Sequence, residues 1–147
     1  MLPFAQRHAI TDVCLLVRDV ETSVAFYRDK LGFVLKHRAE GFADFTGAGM
    51  TLALWESAHI GRHAGVAVTQ DRPASVLIAV KLDSSDDVEA TYQELSTKGV
   101  AFTGPPADYS WNARGAYFAG PDGEIWELYA WLEGGAPGKM PEMISAI

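Results

Sequence analysis

RDVETSVAFYRDKLGF, residues 18–33, carries apolar side chains at Val20, Val24, Tyr27 and Leu31. That spacing lays one stripe along a helix. Asp19 stands where a carboxylate accepts from the first free backbone N–H groups, and Gly32 stands where a left-handed residue ends the helix. The stretch predicts a helix from Val20 to Leu31. Upstream, ITDVCLLV puts Val13, Leu15 and Val17 on one face and Asp12, Cys14 and Leu16 on the other, the alternation of a strand. Downstream, FVLKHRA, FADFTG and MTLALWE are three short strand candidates, separated by Glu40-Gly41 and Gly47-Ala48-Gly49. The order is β-α-β-β-β.

The same order returns later in the chain. Strand VLIAVKL precedes helix DVEATYQELSTKG, then come strand VAF, an irregular stretch, and strands GAYFA and EIWELYAW. Asp19-Val20-Glu21 recurs as Asp87-Val88-Glu89, Gly32 as Gly99 and Leu54 as Leu128. Neither copy alone has enough core to bury its sheet, so two copies of one unit are expected to form a single α+β domain. Repeat one covers about residues 8–56, a linker 57–74, repeat two 75–131, and a Gly/Pro-rich C-terminal extension 132–147.

Charge and cysteine usage exclude several function classes. The 147 residues carry 19 acidic against 12 basic side chains, a net charge of −7, without a Lys/Arg run; such a field repels nucleic acid and favours a cationic ligand. No apolar run approaches a membrane span, and the N-terminus lacks the pattern of a secretory signal, so a cytoplasmic protein without a membrane partner is expected. Cys14 is the only cysteine, which rules out an intrachain disulfide and a thiolate cluster within one chain.

The paired units, with DVETSVAFYRDKLGF in the first and GPDGEIWEL in the second, resemble the vicinal oxygen chelate superfamily, which includes glyoxalase I, extradiol dioxygenases and bleomycin-resistance proteins. The resemblance spans about residues 8–131 and implies two mixed sheets forming a curved cup with helices outside. It also implies metal-ligand positions on the first and last strands of each unit, which fall on Asp12, Ala53, Leu77 and Glu127. Of these only Asp12 and Glu127 can bind a cation, and tight transition-metal sites use three or four donors, commonly with imidazoles. No metal and no other cofactor is therefore expected. Glu127 then needs a partner, either Lys81, which shares a strand face with Leu77 and Ala79, or a ligand.

Further candidates come from the strands and loops around it. Trp126 and Leu128 share the parity of core residues, whereas Ile125, Glu127 and Tyr129 share the opposite one. Trp55 has the parity of Ala53 and, with Tyr129 and Trp111, could form a flat wall for a planar ligand. In SWNARGAY, Asn112 offers an adaptable hydrogen-bonding group and Arg114 an anion clamp. His59 and His63 in HIGRH, with Gly61 between them, read as exposed loop histidines. Cys14 reads as a small buried filler whose thiol the neighbouring Asp12 carboxylate makes less acidic.

These readings converge on a small-molecule binding protein that sequesters a cationic, partly aromatic ligand without metal, in the manner of the bleomycin-resistance proteins it resembles. Asp12, Trp55, Lys81, Trp111, Asn112, Arg114, Glu127 and Tyr129 are the expected ligand contacts. The alternatives are a metal-dependent enzyme of the glyoxalase or dioxygenase kind and an interaction domain with an unused pocket. A homodimer is expected, because two short units expose sheet edges.

Overall fold

The Asp19 carboxylate accepts from the Glu21 backbone N–H at 3.1 Å and from Thr22 Oγ1 at 2.8 Å, and so starts the helix that the sequence predicts. In the computed structural model, which describes residues 2–47, 49–65, 76–109 and 111–132, that helix has two parts. An α-helix, α2 (Val20–Val24), passes into a π-helical stretch over Ala25–Lys30. The wider turn accompanies the full burial of Tyr27, whose ring packs 6.2 Å from those of Phe33 and Phe45. Gly32 follows at φ +80° and its counterpart Gly99 at φ +85°; both adopt the left-handed conformation that lets a glycine end a helix without a Cβ clash.

The chain forms two compact units, Met1–Arg72 and Pro73–Ile147. In the first, a short helix α1 (Phe4–Arg7) precedes β1 (Asp12–Val17), and β2 (Val34–Ala39), β3 (Phe42–Thr46) and β4 (Thr51–Glu56) follow α2. The sheet order is β1-β4-β3-β2, with β1 parallel to β4 and the other pairs antiparallel. Leu15, Val17, Ala43, Phe45, Leu52 and Leu54 lie buried on one face, and α2 packs against β3 and β4. Alternation leaves Asp12, Cys14, Phe42, Asp44, Ala53 and Trp55 on the other face.

In the second unit β5 (Leu77–Lys81) leads into α4 (Ser85–Thr97), whose first turn is capped by Ser84 Oγ accepting from the Asp87 N–H at 3.2 Å. Then come β6 (Ala107–Tyr109), β7 (Ala113–Ala119) and β8 (Ile125–Trp131), in the order β5-β8-β7-β6 with β5 parallel to β8. Val88 of α4 packs on Ala116 and Ala130, and Phe118 stacks on its register partner Trp126 with rings 3° from parallel. Each unit thus repeats one arrangement, helix on one sheet face and the other face open to its own surroundings.

Two expectations about local structure need correction. VAF contributes only a single bridge, Phe102 to Phe118, because Gly104-Pro105-Pro106 follows and proline has no N–H for a ladder; the fourth strand forms later, in the stretch read as irregular. The opening of the expected linker, Ser57–Ala64, is a helix, α3, ended by Gly65 in the left-handed region. Gly61 is tolerated there because the buried Ile60 and Ser57 anchor the helix from its inner side. The rest of the expected linker, 66–74, and all but the first residue of the extension lie outside the described residues.

Candidate functional site

The turn Gly120–Gly123 sets the register of β7 against β8. Gly120 N–H donates to the Glu124 carbonyl at 2.8 Å, the buried Glu124 side chain accepts from the Asp122 N–H at 3.1 Å, and Ala119 then faces Ile125. Two residues further along, Tyr117 stands directly opposite Glu127. The Tyr117 hydroxyl donates to Glu127 Oε2 at 2.6 Å, the short distance of a charge-assisted bond. Partial burial first, and the Glu127 carboxylate second, push the phenol above its usual acidity range, so it stays protonated and donates throughout the neutral range. Among the described residues no other side chain bonds to Glu127, which leaves Oε1 for a partner.

The carboxylate sits within an aromatic surround on the open face of the second sheet. Tyr129 and Trp131 continue its strand parity, with ring centroids 5.3 Å apart. Tyr109 lies over Gly115, where an added Cβ would come 3.5 Å from the tyrosine ring and 3.3 Å from the Leu128 carbonyl. Trp111 stacks on Tyr109 at 4.7 Å, the planes 10° apart, and the Tyr109 ring meets Tyr117 edge-on at 6.0 Å. Leu77, Ala79 and Lys81 of β5 complete this face, Leu77 with 52% of its surface exposed. A carboxylate on a sheet face that also carries several aromatic rings suits a flat cation.

Several expected contacts fall elsewhere. Lys81 does not pair with Glu127: it stands two register pairs along, opposite Tyr129 and exposed, while Tyr117 reaches the carboxylate from directly across β7. Arg114 is not an anion clamp on the open face. Its parity is that of the buried Ala116 and Phe118, and on the helix side its guanidinium donates to Glu89 of α4, by Nε at 3.0 Å and by Nη2, and to Asp108 at 2.9 Å. Those carboxylates raise its pKa, Glu89 contributing most. Asn112 makes the turn, at φ +68°, donating its N–H to the Tyr109 carbonyl at 3.1 Å.

The first unit presents a second open face. Trp55 Nε1 donates to His59 Nδ1 at 3.0 Å, and its ring meets Phe42 edge-on at 6.0 Å. His59 and His63 are therefore helical, their centroids 4.1 Å apart, rather than loop residues; His59 is half-buried and only His63 is exposed. Cys14 is exposed rather than a buried filler, because it stands on an edge strand beside the small side chain of Ala53. Its thiol pKa is raised, by partial desolvation first and the Asp12 carboxylate second. At the bulge between Leu35 and His37, Asp44 accepts from both the His37 backbone N–H at 2.9 Å and its ring Nδ1 at 3.0 Å. A shallow depression lined by Ile10, Thr11, Thr46 and Met50 lies at one end of this sheet, away from the row of Cys14, Ala53 and Asp44.

A metal of the kind the fold implies does not fit the four positions. Ala53 and Leu77 offer no donor, Glu127 is engaged by Tyr117, and among the described residues no three His, Cys, Asp or Glu side chains group as a metal site requires. Asp12 is exposed and bonded to the Thr11 hydroxyl at 2.6 Å.

Paired β-α-β-β-β units, each with a mixed sheet of order first-fourth-third-second, define an α+β protein of the vicinal oxygen chelate fold. The profile of the Glyoxalase/Bleomycin resistance protein/Dioxygenase superfamily matches residues 9–128, and the chain belongs to that family. A crystal structure of a glyoxalase/bleomycin resistance protein/dioxygenase from Nocardioides is 48% identical, with a TM-score of 0.84 over 91% of this chain and 90% of the other. A glyoxalase-related enzyme from Fulvimarina pelagi is 27% identical with a TM-score of 0.72, covering 83% of this chain and 87% of that one. The bleomycin resistance protein of Geobacillus stearothermophilus is 29% identical over 119 residues, 76% of this chain and 88% of the relative. Among the described residues, no helix is long and apolar enough to cross a membrane.

Proposed function

We propose that the protein binds a planar, cationic small molecule on the open face of its second unit and holds it without chemical change. One observation carries this reading: a carboxylate oriented by Tyr117, with Oε1 unclaimed among the described residues, shares its sheet face with Tyr129, Trp131 and Tyr109, on which Trp111 stacks. Half-buried, the Glu127 carboxylate gains from a cation that donates to its second oxygen. The flat rings supply stacking area at little entropic cost, and the net charge of −7 favours cations over anions at a distance. The name of the Geobacillus stearothermophilus relative points to a ligand of the same general character.

The reading extends to a cytoplasmic homodimer that needs no metal. Exposed apolar side chains on edge strands, Leu16 on β1, Val34 on β2 and Leu77 on β5, favour a covering partner, and a second copy is the partner proposed. Native mass spectrometry tests these points together. The purified protein, dialysed against a mild chelator, is expected as a two-chain particle without zinc, nickel or iron, and ethidium or bleomycin should add its intact mass. One retained metal equivalent per chain, or release of the ligand with an altered mass, would replace this reading by the enzymatic one. Absence of any saturable adduct would leave an interaction domain.

A further inference from the structure

Strand β6 is three residues long, lies at the edge of its sheet, and follows two prolines that add no ladder hydrogen bonds. Such a strand frays readily on its own. Yet its last residue, Tyr109, carries the stack on which Trp111 lies. Alternation puts Asp108 on the helix side and Tyr109 on the open side, so whatever fixes Asp108 also fixes the tyrosine. Arg114 is the register partner of Asp108, and its guanidinium bridges that carboxylate at 2.9 Å to Glu89 on α4, where Nε donates at 3.0 Å. A planar fork with donors in fixed directions suits this task; the single point charge of a lysine does not.

We propose that Arg114 is a positioning residue for the ligand face: by tying β6 to α4 from behind the sheet, it holds Tyr109 and Trp111 flat as a stacking shelf and thereby favours planar over flexible cations. The clamp contacts no ligand. It rests on the ligand reading above only for its selectivity, since the mechanical part concerns β6, Arg114 and α4 alone. The Asn112 N–H, bonded to the Tyr109 carbonyl at 3.1 Å, reports whether the turn between β6 and β7 is closed.

The test uses the full chain with Asp108→Ala, which removes the β6 arm at a residue whose side chain is largely exposed, and Arg114→Lys, which keeps the charge and loses the fork. Hydrogen exchange of the Asn112 amide in the free protein is expected to quicken about threefold in both variants, the scale of a networked surface ion pair. Ethidium, which stacks, should bind about threefold more weakly; spermidine, which reads the Glu127 charge without stacking, should bind as before at ~0.15 M salt, where the distant charge change is screened. Unchanged Asn112 exchange would overturn the clamp, and equal weakening of both cations would overturn its role in selectivity. Should the parent protein bind neither cation, the ligand reading falls, while faster exchange in both variants still supports the clamp.

Discussion

Replacing Glu127 by Gln is expected to weaken ethidium binding by about 1 to 3 kcal/mol, the scale of a charge-assisted hydrogen bond lost in a partly buried site. The substitution keeps the side-chain shape, and the amide oxygen still accepts from the Tyr117 hydroxyl that lies 2.6 Å from Oε2. What disappears is the negative charge and the attraction of Oε1 for a cation. Because part of that attraction passes through solvent, the difference between parent and variant should shrink as salt rises toward 1 M, where the screening length falls to about 3 Å. Fluorescence titration at several ionic strengths measures it. Equal affinity for parent and variant, with the fold intact, would reduce Glu127 to a structural acceptor for Tyr117.

The second large effect concerns stability. Phe118 is 1% exposed, stacks on Trp126 with centroids 6.0 Å apart and meets Phe102 edge-on at 5.2 Å. Phe118→Ala removes the ring that joins α4's neighbours to the sheet and leaves a cavity the rigid strands cannot collapse, so a loss of about 3 to 5 kcal/mol is expected. Against a typical domain stability of about 5 to 15 kcal/mol, this shifts the urea midpoint substantially. Equilibrium denaturation monitored by tryptophan fluorescence gives the value. A change under about 1 kcal/mol would mean that the second core does not depend on this stack.

The strand and helix order was legible because both signals are local: alternation in ITDVCLLV and EIWELYAW, and the Val20, Val24, Tyr27 stripe. The core parity of Trp126 and Leu128 followed from the same alternation, and both are buried. The widened turn over Ala25–Lys30 was not legible, since a π-helical turn keeps nearly the same apolar spacing. Helix α3 escaped because Gly61 suppresses its local propensity, and burial of Ile60 restores it only through tertiary contact.

At the site, the parity of Glu127 was legible and its partner was not. Lys81 and a ligand were the candidate partners, Lys81 because it is the cation on a same-face strand; the neutral donor Tyr117 was not among them, although the tight GPDG turn fixes Ala119 opposite Ile125 and so brings Tyr117 opposite Glu127. Arg114 shows the reverse error. A loop reading gave it no parity, whereas strand β7 begins at Ala113 and turns its side chain to the helix side, where Glu89 and Asp108 wait. Charge attracts attention in a sequence, but register decides which charges meet.

Indole N–H resonances test the central claim most directly, because the tryptophans of the second unit occupy opposite faces of one sheet. On titration with ethidium, the signals of Trp111 and Trp131 are expected to shift in a saturable way, and that of Trp126, 3% exposed on the helix side, to stay in place. A saturable ligand that leaves Trp111 and Trp131 unmoved would contradict the assignment of this face as the binding site.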